Sequence, residues 1–481
     1  MSHRSATGAA TFAALTVIVA AVVFAVAPGD RAPGRGGTSA RAERLEEASI
    51  TASRLSALAV ARAEGLFGRG EPITGRAARG WAGEQVVSGT RDDWEPAIAT
   101  DPNDPYVYIL TTRFGYPKPC PGNCPIPHIS LSVSADGGRS WRDPTPLCAC
   151  KGSWQYDPVI EVVDETGDVY AAYLNGYNVV FVKSDDHGRT WSAPVATYGK
   201  VSWNDKPAFT TSADGKHIYL SWNGPTGGDP WVAQSHDHGE TWTQRKIVSS
   251  ARYFFAYDGI VLGDGTVVLS QSSFSYTGPG AAAEGKVRQH VFVSHDRGST
   301  WRNVTLDVLE LGPLCESDGC YGDFHLGHSG VSADADGDLV AVYDGALEPY
   351  GPQQVFARTS ADAGRTWSAR VPVSRQGENS IAPTVEATGR GDMRTWFVVQ
   401  NDTGRWNVFF RRSADGGSTW GAPVKISDAV SGARYKDEDG FLEFYGDYGE
   451  IAITSAGKTI GVWGEAFSYL GPGGVWFNRE I

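Results

Sequence analysis

Basic residues are few and scattered in this chain of 481 residues. Its 42 Lys and Arg face 55 Asp and Glu, a net charge of −13, and no basic run exceeds a pair such as Arg411-Arg412. A nucleic-acid surface gathers Lys and Arg into a patch that neutralises phosphates, so no nucleic-acid partner is expected. Cysteine is sparse as well, six residues in two clusters: Cys120, Cys124, Cys148 and Cys150 in "CPGNC" and "CAC", then Cys315 and Cys320 in "CESDGC". A four-thiolate zinc site in the first cluster would require a Cys-x-Cys spacing that is unusual for zinc. The tight-turn stretch "SADGGRSW" at 134 lacks the acidic groups at alternate positions that a calcium loop needs. "DADGD" (Asp334, Asp336, Asp338) lacks the Gly after its third Asp.

An uncharged apolar run, Ala9 to Ala27, follows Arg4. It is long enough to span a bilayer and also fits a signal peptide. Ala25 and Ala27 suit cleavage but Pro28 directly after them does not, so a retained anchor is favoured over a cleaved signal. Either way the remainder is expected outside the cytoplasm, secreted or held at the membrane. Export makes the cysteines readable as loop-stapling disulfides: Cys315 with Cys320, and two crossed pairs in the first cluster. Residues 29–80 combine a Gly/Pro/Arg linker with a run of helix formers in which Leu55, Leu58 and Leu66 share one face. The expected organisation is therefore 1–28 signal or anchor, 29–80 linker and helical stalk, and 81–481 the main domain, a monomer.

The main domain repeats. "SADGGRSW" at 134 recurs as "SDDHGRTW" at 184, "SHDHGETW" at 235, "SHDRGSTW" at 294, "SADAGRTW" at 360 and "SADGGSTW" at 413. Near-constant spacing of this length marks a repeat architecture in which each unit is one small antiparallel sheet. Alternating apolar residues broken by Gly/Asp turns give four short strands per unit. First strands begin at "WEPAIAT" (94), "YDPVIEV" (156), "DKPAFTT" (205), "YDGIVLG" (257), "HSGVSAD" (328), "IAPTVEA" (381) and "DYGEIAI" (447). Seven first strands against six boxes leave the last unit one strand short, and "EQVVSG" at 84 is the candidate to complete it. The expected fold is an all-β, seven-bladed β-propeller closed by an N-terminal strand; six blades plus a hairpin is the alternative. Closure of this kind removes exposed sheet edges.

The repeated Ser-x-Asp-x-Gly-x-Ser/Thr-Trp resembles the Asp-box, or bacterial neuraminidase repeat, of the sialidase superfamily, over about residues 84–481. The resemblance implies that each box is the turn between the third and fourth strands, on the face away from the active site. Long, variable links such as "GYPKPCPGNCPIP", "SFSYTGPGAAAEGK" and "DAVSGARYKDEDGFLEF" belong to the opposite face, where function is usually carried.

On that face the residues heading each first strand should ring the channel mouth: Trp94 and Glu95, Tyr156 and Asp157, Asp205 and Lys206, Tyr257 and Asp258, His325 and His328, Ile381 and Ala382, Asp447 and Tyr448, with Trp154 and Trp203 nearby. Aromatic faces stack on sugars, and a carboxyl pair can serve as acid and as base or nucleophile in glycoside hydrolysis. Asp157, Asp205 and Asp258 are the leading acid/base candidates, with Glu95 and Tyr448 beside them. Trp94, Tyr156, Trp203, His325 and His328 are candidate substrate contacts. In the family resembled, three arginines hold the sialic acid carboxylate, the first in an Arg-Ile-Pro motif. Trp94 stands at that Arg position here, and Arg91, Arg252 and Arg434 are the candidates for a substitute cluster. The expected function is an exported sialidase-like propeller acting on a glycan, a glycoside hydrolase that needs no metal or cofactor. The alternatives are a non-catalytic binding module, or a polysaccharide lyase with His325 or His328 and a nearby Tyr as base.

Overall fold

Short runs of alternating apolar residues, each ended by a Gly/Asp turn, fold as antiparallel meanders in the computed structural model. It describes residues 75–87, 93–113, 125, 127–147, 153–201, 204–224, 228–276, 283–313, 327–433, 449–466 and 473–481. These all lie in the compact unit Gly36–Ile481; the other unit, Met1–Arg35, falls outside them. The expected anchor or signal, the stalk helix and every cysteine also lie outside the described residues. Among those residues no helix is long and apolar enough to cross a membrane.

The strands form antiparallel sheets: five of four strands and one of eight. The eight-stranded sheet is two meanders joined through a single pairing, Glu310↔Ala346. Each meander begins with a strand at the centre: Asp93–Thr100, Gln155–Val162, Asp205–Thr211, Tyr253–Val261, Ser329–Ala333, Ser380–Thr388 and Glu450–Ile453. Each first strand packs against the next, and Glu450–Ile453 packs back against Asp93–Thr100. Large apolar side chains fill the space between neighbouring sheets, with Trp94, Trp222, Trp396 and Trp463 fully buried. Trp396 also donates its indole N–H to the Glu450 carbonyl at 3.1 Å, tying the sixth meander to the last.

The segment Gln85–Val86 pairs with the chain's final strand, Gly473–Arg479, in the register Gln85↔Phe477 and Val86↔Trp476. Glu84 and Asp428 exchange backbone-to-carboxylate hydrogen bonds of 2.8 and 2.6 Å. Upstream, Trp81 bridges to Glu480 and stacks edge-on against Phe410 at 5.0 Å. The N-terminal end of the domain is thus stitched to its C-terminal end.

All six boxes fold alike. In the first, the Ser134 hydroxyl donates to Asp136 at 2.8 Å and accepts from the Gly138 N–H at 2.9 Å. Asp136 also accepts from the Arg139 amide at 2.9 Å and from the Ser140 amide and hydroxyl at 2.8 and 2.6 Å. Gly138 has left-handed backbone at φ +77, and a Cβ there would strike the Phe477 ring. Only glycine gives both the conformation and the close approach. Trp141 then packs edge-on against the same Phe477 at 5.1 Å, so the first box docks on the last strand.

The box carboxylates make the fold sensitive to acid. The Thr419 hydroxyl and amide hold Asp415 at about 2, and the Thr241 hydroxyl and amide do the same for Asp237, from an ordinary 3.8. A depressed folded-state pKa contributes stability that is present above the unfolded value and lost as pH falls through the folded one. Denaturant midpoints should therefore drop between pH 4 and pH 2, and Asp415→Asn should shrink that drop while lowering stability at pH 6; an unchanged acid limb in the variant would contradict this role.

Candidate functional site

Four of the central strands break their ladder at the same place. Pairing stops at Trp94↔Thr112 and resumes at Ala97↔Leu110, and equivalent breaks fall at Tyr156/Val159, Asp205/Ala208 and Ile381/Thr384. The residue extruded at each break precedes a proline and has left-handed backbone: Glu95, Asp157 and Lys206 at φ 49, Ala382 at φ 53. A residue before proline is ordinarily pushed to extended backbone, and left-handed non-glycine residues cost about 1–3 kcal/mol each. Such bulges re-aim side chains. Here they turn Glu95, Asp157 and Lys206, from three successive meanders, towards one another.

The three side chains form a buried cluster. The Lys206 ammonium lies 3.8 Å from a Glu95 oxygen and 3.8 Å from an Asp157 oxygen, and all three residues are at most 6% exposed. Thr112 donates to the second Glu95 oxygen at 3.4 Å. Trp94, Tyr156, Leu174 and Tyr177 close around them, leaving a void of only 10 Å³. The carboxylates are thus committed to one shared cation. A single cation between two carboxylates also leaves the mouth less repulsive to an anion than the two free acids would.

From this cluster a line of contacts leads into the fourth and fifth meanders. The Lys206 ammonium sits 5.9 Å from the Phe255 ring centre, Phe255 stacks with Tyr257 at 6.1 Å, and Tyr257 meets the His328 ring at 5.5 Å. His328 is fixed by Asp344. That carboxylate accepts the His328 backbone N–H at 2.9 Å and its ring Nδ1–H at 3.1 Å. It also accepts Gln353 Nε2 at 3.0 Å and the N–H of the strained Ala382 at 2.7 Å. A carboxylate can only accept, so Nδ1 carries the proton and Nε2 is the basic nitrogen of the ring.

Below the mouth the central strands enclose a cavity of 960 Å³, lined by Glu161, Asp258, Glu386 and Glu450 among others. Three of these accept from neighbouring strands: Asp258 from Val331 N at 3.0 Å, besides Gly259 N on its own strand at 2.7 Å, Glu386 from the Ser332 hydroxyl at 2.9 Å, and Glu450 from Ile98 N at 2.6 Å. Burial pushes Asp258 and Glu450 up to about 8, and raises Glu161 and Glu386, with neighbouring carboxylates opposing ionisation further.

Of the residues expected at the mouth, Glu95 and Asp157 come together on Lys206, and His328 is reached from them through Phe255 and Tyr257. Asp258 lies deeper, on the cavity wall, because its strand has Gly259 where the others have proline and bulges at Tyr257 instead. Asp205 pairs across the ladder with Asn223. Trp94 and Tyr156 are buried in the core between sheets, and Arg252 is bound to backbone and side-chain oxygens of its own meander. Arg91, Trp203, His325, Arg434 and Tyr448 lie outside the described residues. Sequence reasoning placed Lys206 at the mouth without giving it a role, and passed over Asp344. Lys206 carries the same signal as Glu95 and Asp157, one residue ahead of a proline at the head of a central strand; Asp344 sits mid-strand with nothing in its neighbourhood to single it out.

Two outcomes test this arrangement. Asp258 and Glu450 have folded-state values above their ordinary 3.8 and 4.5, so the folded state holds more protons than the unfolded one between those values and about 8. Stability is then full below about pH 4 and falls as pH rises towards 8; Glu450→Gln should flatten that slope in a pH series of denaturant midpoints. Lys206→Met strands two buried carboxylates and should lower unfolding stability by about 3–5 kcal/mol. The further change Glu95→Gln should restore part of it, and independent, additive effects would show that the three groups do not interact.

Residues 221–457 match the family model described as a BNR repeat-like domain. No curated protein matches the sequence. Among solved structures, a PL25 polysaccharide lyase, an ulvan lyase bound to -[GlcA(1-4)Rha3S]-, is 12% identical over 82% of this chain and 95% of its own, with a TM-score of 0.51. A protein of unknown function from Dyadobacter fermentans is 13% identical over 83% and 98%, with a TM-score of 0.47. The intramolecular trans-sialidase from Ruminococcus gnavus is 15% identical over 84% and 98%, with a TM-score of 0.42. Its six identically folded boxes and its antiparallel meanders around a central cavity give the chain a β-propeller fold that carries, over residues 221–457, a BNR repeat-like domain.

Proposed function

We propose that this chain is a glycan-acting enzyme whose site lies where the central strands begin, and that its reaction is β-elimination from a uronate-bearing polysaccharide. The observation that carries the reading is the buried His328–Asp344 pair beside Tyr257. Asp344 fixes the ring tautomer, His328 Nε2 takes the proton from C5 of the uronate, the C4–O bond breaks, and a C4=C5 double bond forms. Tyr257 is the candidate donor of the proton that the departing sugar oxygen takes. The ulvan lyase of similar fold acts on a uronate-containing polymer, which supports the substrate class. Hydrolysis is the second reading, and the Glu95–Asp157 pair favours it: each is 3.8 Å from one ammonium, so the carboxyl groups lie within a range open to either stereochemical course.

The surrounding architecture is read as seven blades. Seven meanders and the Gln85↔Phe477 pairing support a ring closed by the N-terminal strand. The domain is proposed to work outside the cytoplasm as a monomer, tethered or released by the apolar segment 9–27, with its loops stapled by disulfides.

Incubation with a panel of uronate-containing polysaccharides should generate the ultraviolet absorbance of an unsaturated uronide. His328→Gln should cut that rate about a hundredfold or more, in line with loss of a general base, and Asp344→Asn should cut it less while shifting its pH profile. New reducing ends without unsaturation would instead establish hydrolysis, and activity surviving in His328→Gln would remove His328 from the chemistry.

A further inference from the structure

The fourth meander is longer than its neighbours. Its strands Tyr253–Val261, Val267–Tyr276, Ala283–Ser294 and Arg302–Glu310 have 9, 10, 12 and 9 residues, whereas the first meander has 8, 7, 7 and 2. Its central strand begins four residues before the bulge at Tyr257, a rise of about 13 Å at strand geometry. The sheet therefore stands above the mouth as a wall on one side of the site.

That wall carries an uncompensated pair of guanidinium groups. Arg252, at its near edge, donates Nε to Ser273 Oγ at 3.0 Å and Nη2 to the Ser273 carbonyl at 2.7 Å, with a further bond to the Lys286 carbonyl. Arg288 lies directly across the ladder from Ser273 and is exposed. Burial and then the charge of Arg288 lower Arg252 to about 10, so it stays cationic at neutral pH. Among the described residues neither forms an ion pair, while the acids on the facing strand are engaged elsewhere, Glu310 by Lys286 at 2.5 Å and Asp307 by Arg370 at 3.2 Å. In a chain of net charge −13, two neighbouring cations without a carboxylate are a site for an anion from outside.

A buried relay fixes the Arg252 fork. Ser273 Oγ, which accepts from Arg252, donates to His290 Nε2 at 2.8 Å, and His290 Nδ1–H donates to Asn303 Oδ1 at 2.9 Å. Burial lowers His290 to about 4, so the ring is neutral and its tautomer is set by these partners. Pre-organising a guanidinium in this way leaves its remaining N–H groups aimed without further loss of side-chain freedom.

We infer that Arg252 and Arg288 form a subsite for the sulfate or carboxylate groups of a polyanionic polysaccharide lying against the raised fourth meander. The inference rests on the proposed glycan-acting role and extends it: the substrate is a charged polymer gripped well away from the reacting bond. Calorimetric titration of the full chain with dextran sulfate, polygalacturonate and uncharged dextran tests it. Both polyanions should bind and dextran should not, with the stronger of the two identifying the preferred anion. Arg288→Gln should weaken polyanion binding about tenfold, the loss of one charge-assisted contact, and Arg288→Lys should recover part of it. Unfolding midpoints of the variants keep folding separate from binding. Equal affinity for dextran, or unchanged polyanion affinity in Arg288→Gln and Arg252→Gln, would overturn the subsite. Unsaturated product measured in the same samples separates the two readings: binding without product removes elimination but leaves the subsite, and product with unchanged binding does the reverse.

Discussion

The break in the central ladder one residue ahead of each proline is the constraint on which the site depends. Regular pairing would alternate side chains between the two faces of each sheet and would not turn Glu95, Asp157 and Lys206, which belong to three different sheets, towards one another. The left-handed residue opposes both its own sterics and those of the following proline, so it persists only because the rest of the sheet over-determines it. Burying two carboxylates and an ammonium is unfavourable in isolation. Together, strain and desolvation mark the mouth as the place where this fold departs from its otherwise regular construction.

Asp344 has a comparable place on the other side of the mouth. It is fully buried, yet four donors from three different strands satisfy it, including the N–H exposed by the strained Ala382. The break in the sixth meander and the orientation of His328 in the fifth are therefore one arrangement. A second histidine, His290, is fixed by the same device on the fourth meander, with Ser273 and Asn303 in place of a carboxylate.

Much of the architecture was legible because it repeats. Ser134, Asp136, Gly138 and Trp141 each have a local physical task, so six copies announced six turns and located the strands between them. The pairing of Gln85 with Phe477 was legible from a count, a missing strand at one end and a spare one at the other. The site was legible only in part. Glu95 and Asp157 showed themselves by position, but their association with Lys206 depends on backbone angles that a sequence does not display. Asp258 looked equivalent to Asp157 until Gly259 in place of proline set its depth. Asp344 and Arg288 become significant only through cross-strand neighbours that are distant in the chain.

The pairing of Gln85 and Val86 with the final strand joins segments separated by nearly the whole domain. Closing so long a loop carries an entropic cost that only the complete set of sheets can offset, and such non-local pairing forms late. The first strand of the domain must therefore wait, unpaired, until the last residues arrive. A chain emerging vectorially would hold an open sheet edge until Gly473–Arg479 emerges. The two-residue clasp makes arrival of the Gly473–Arg479 strand and closure of that sheet the same event.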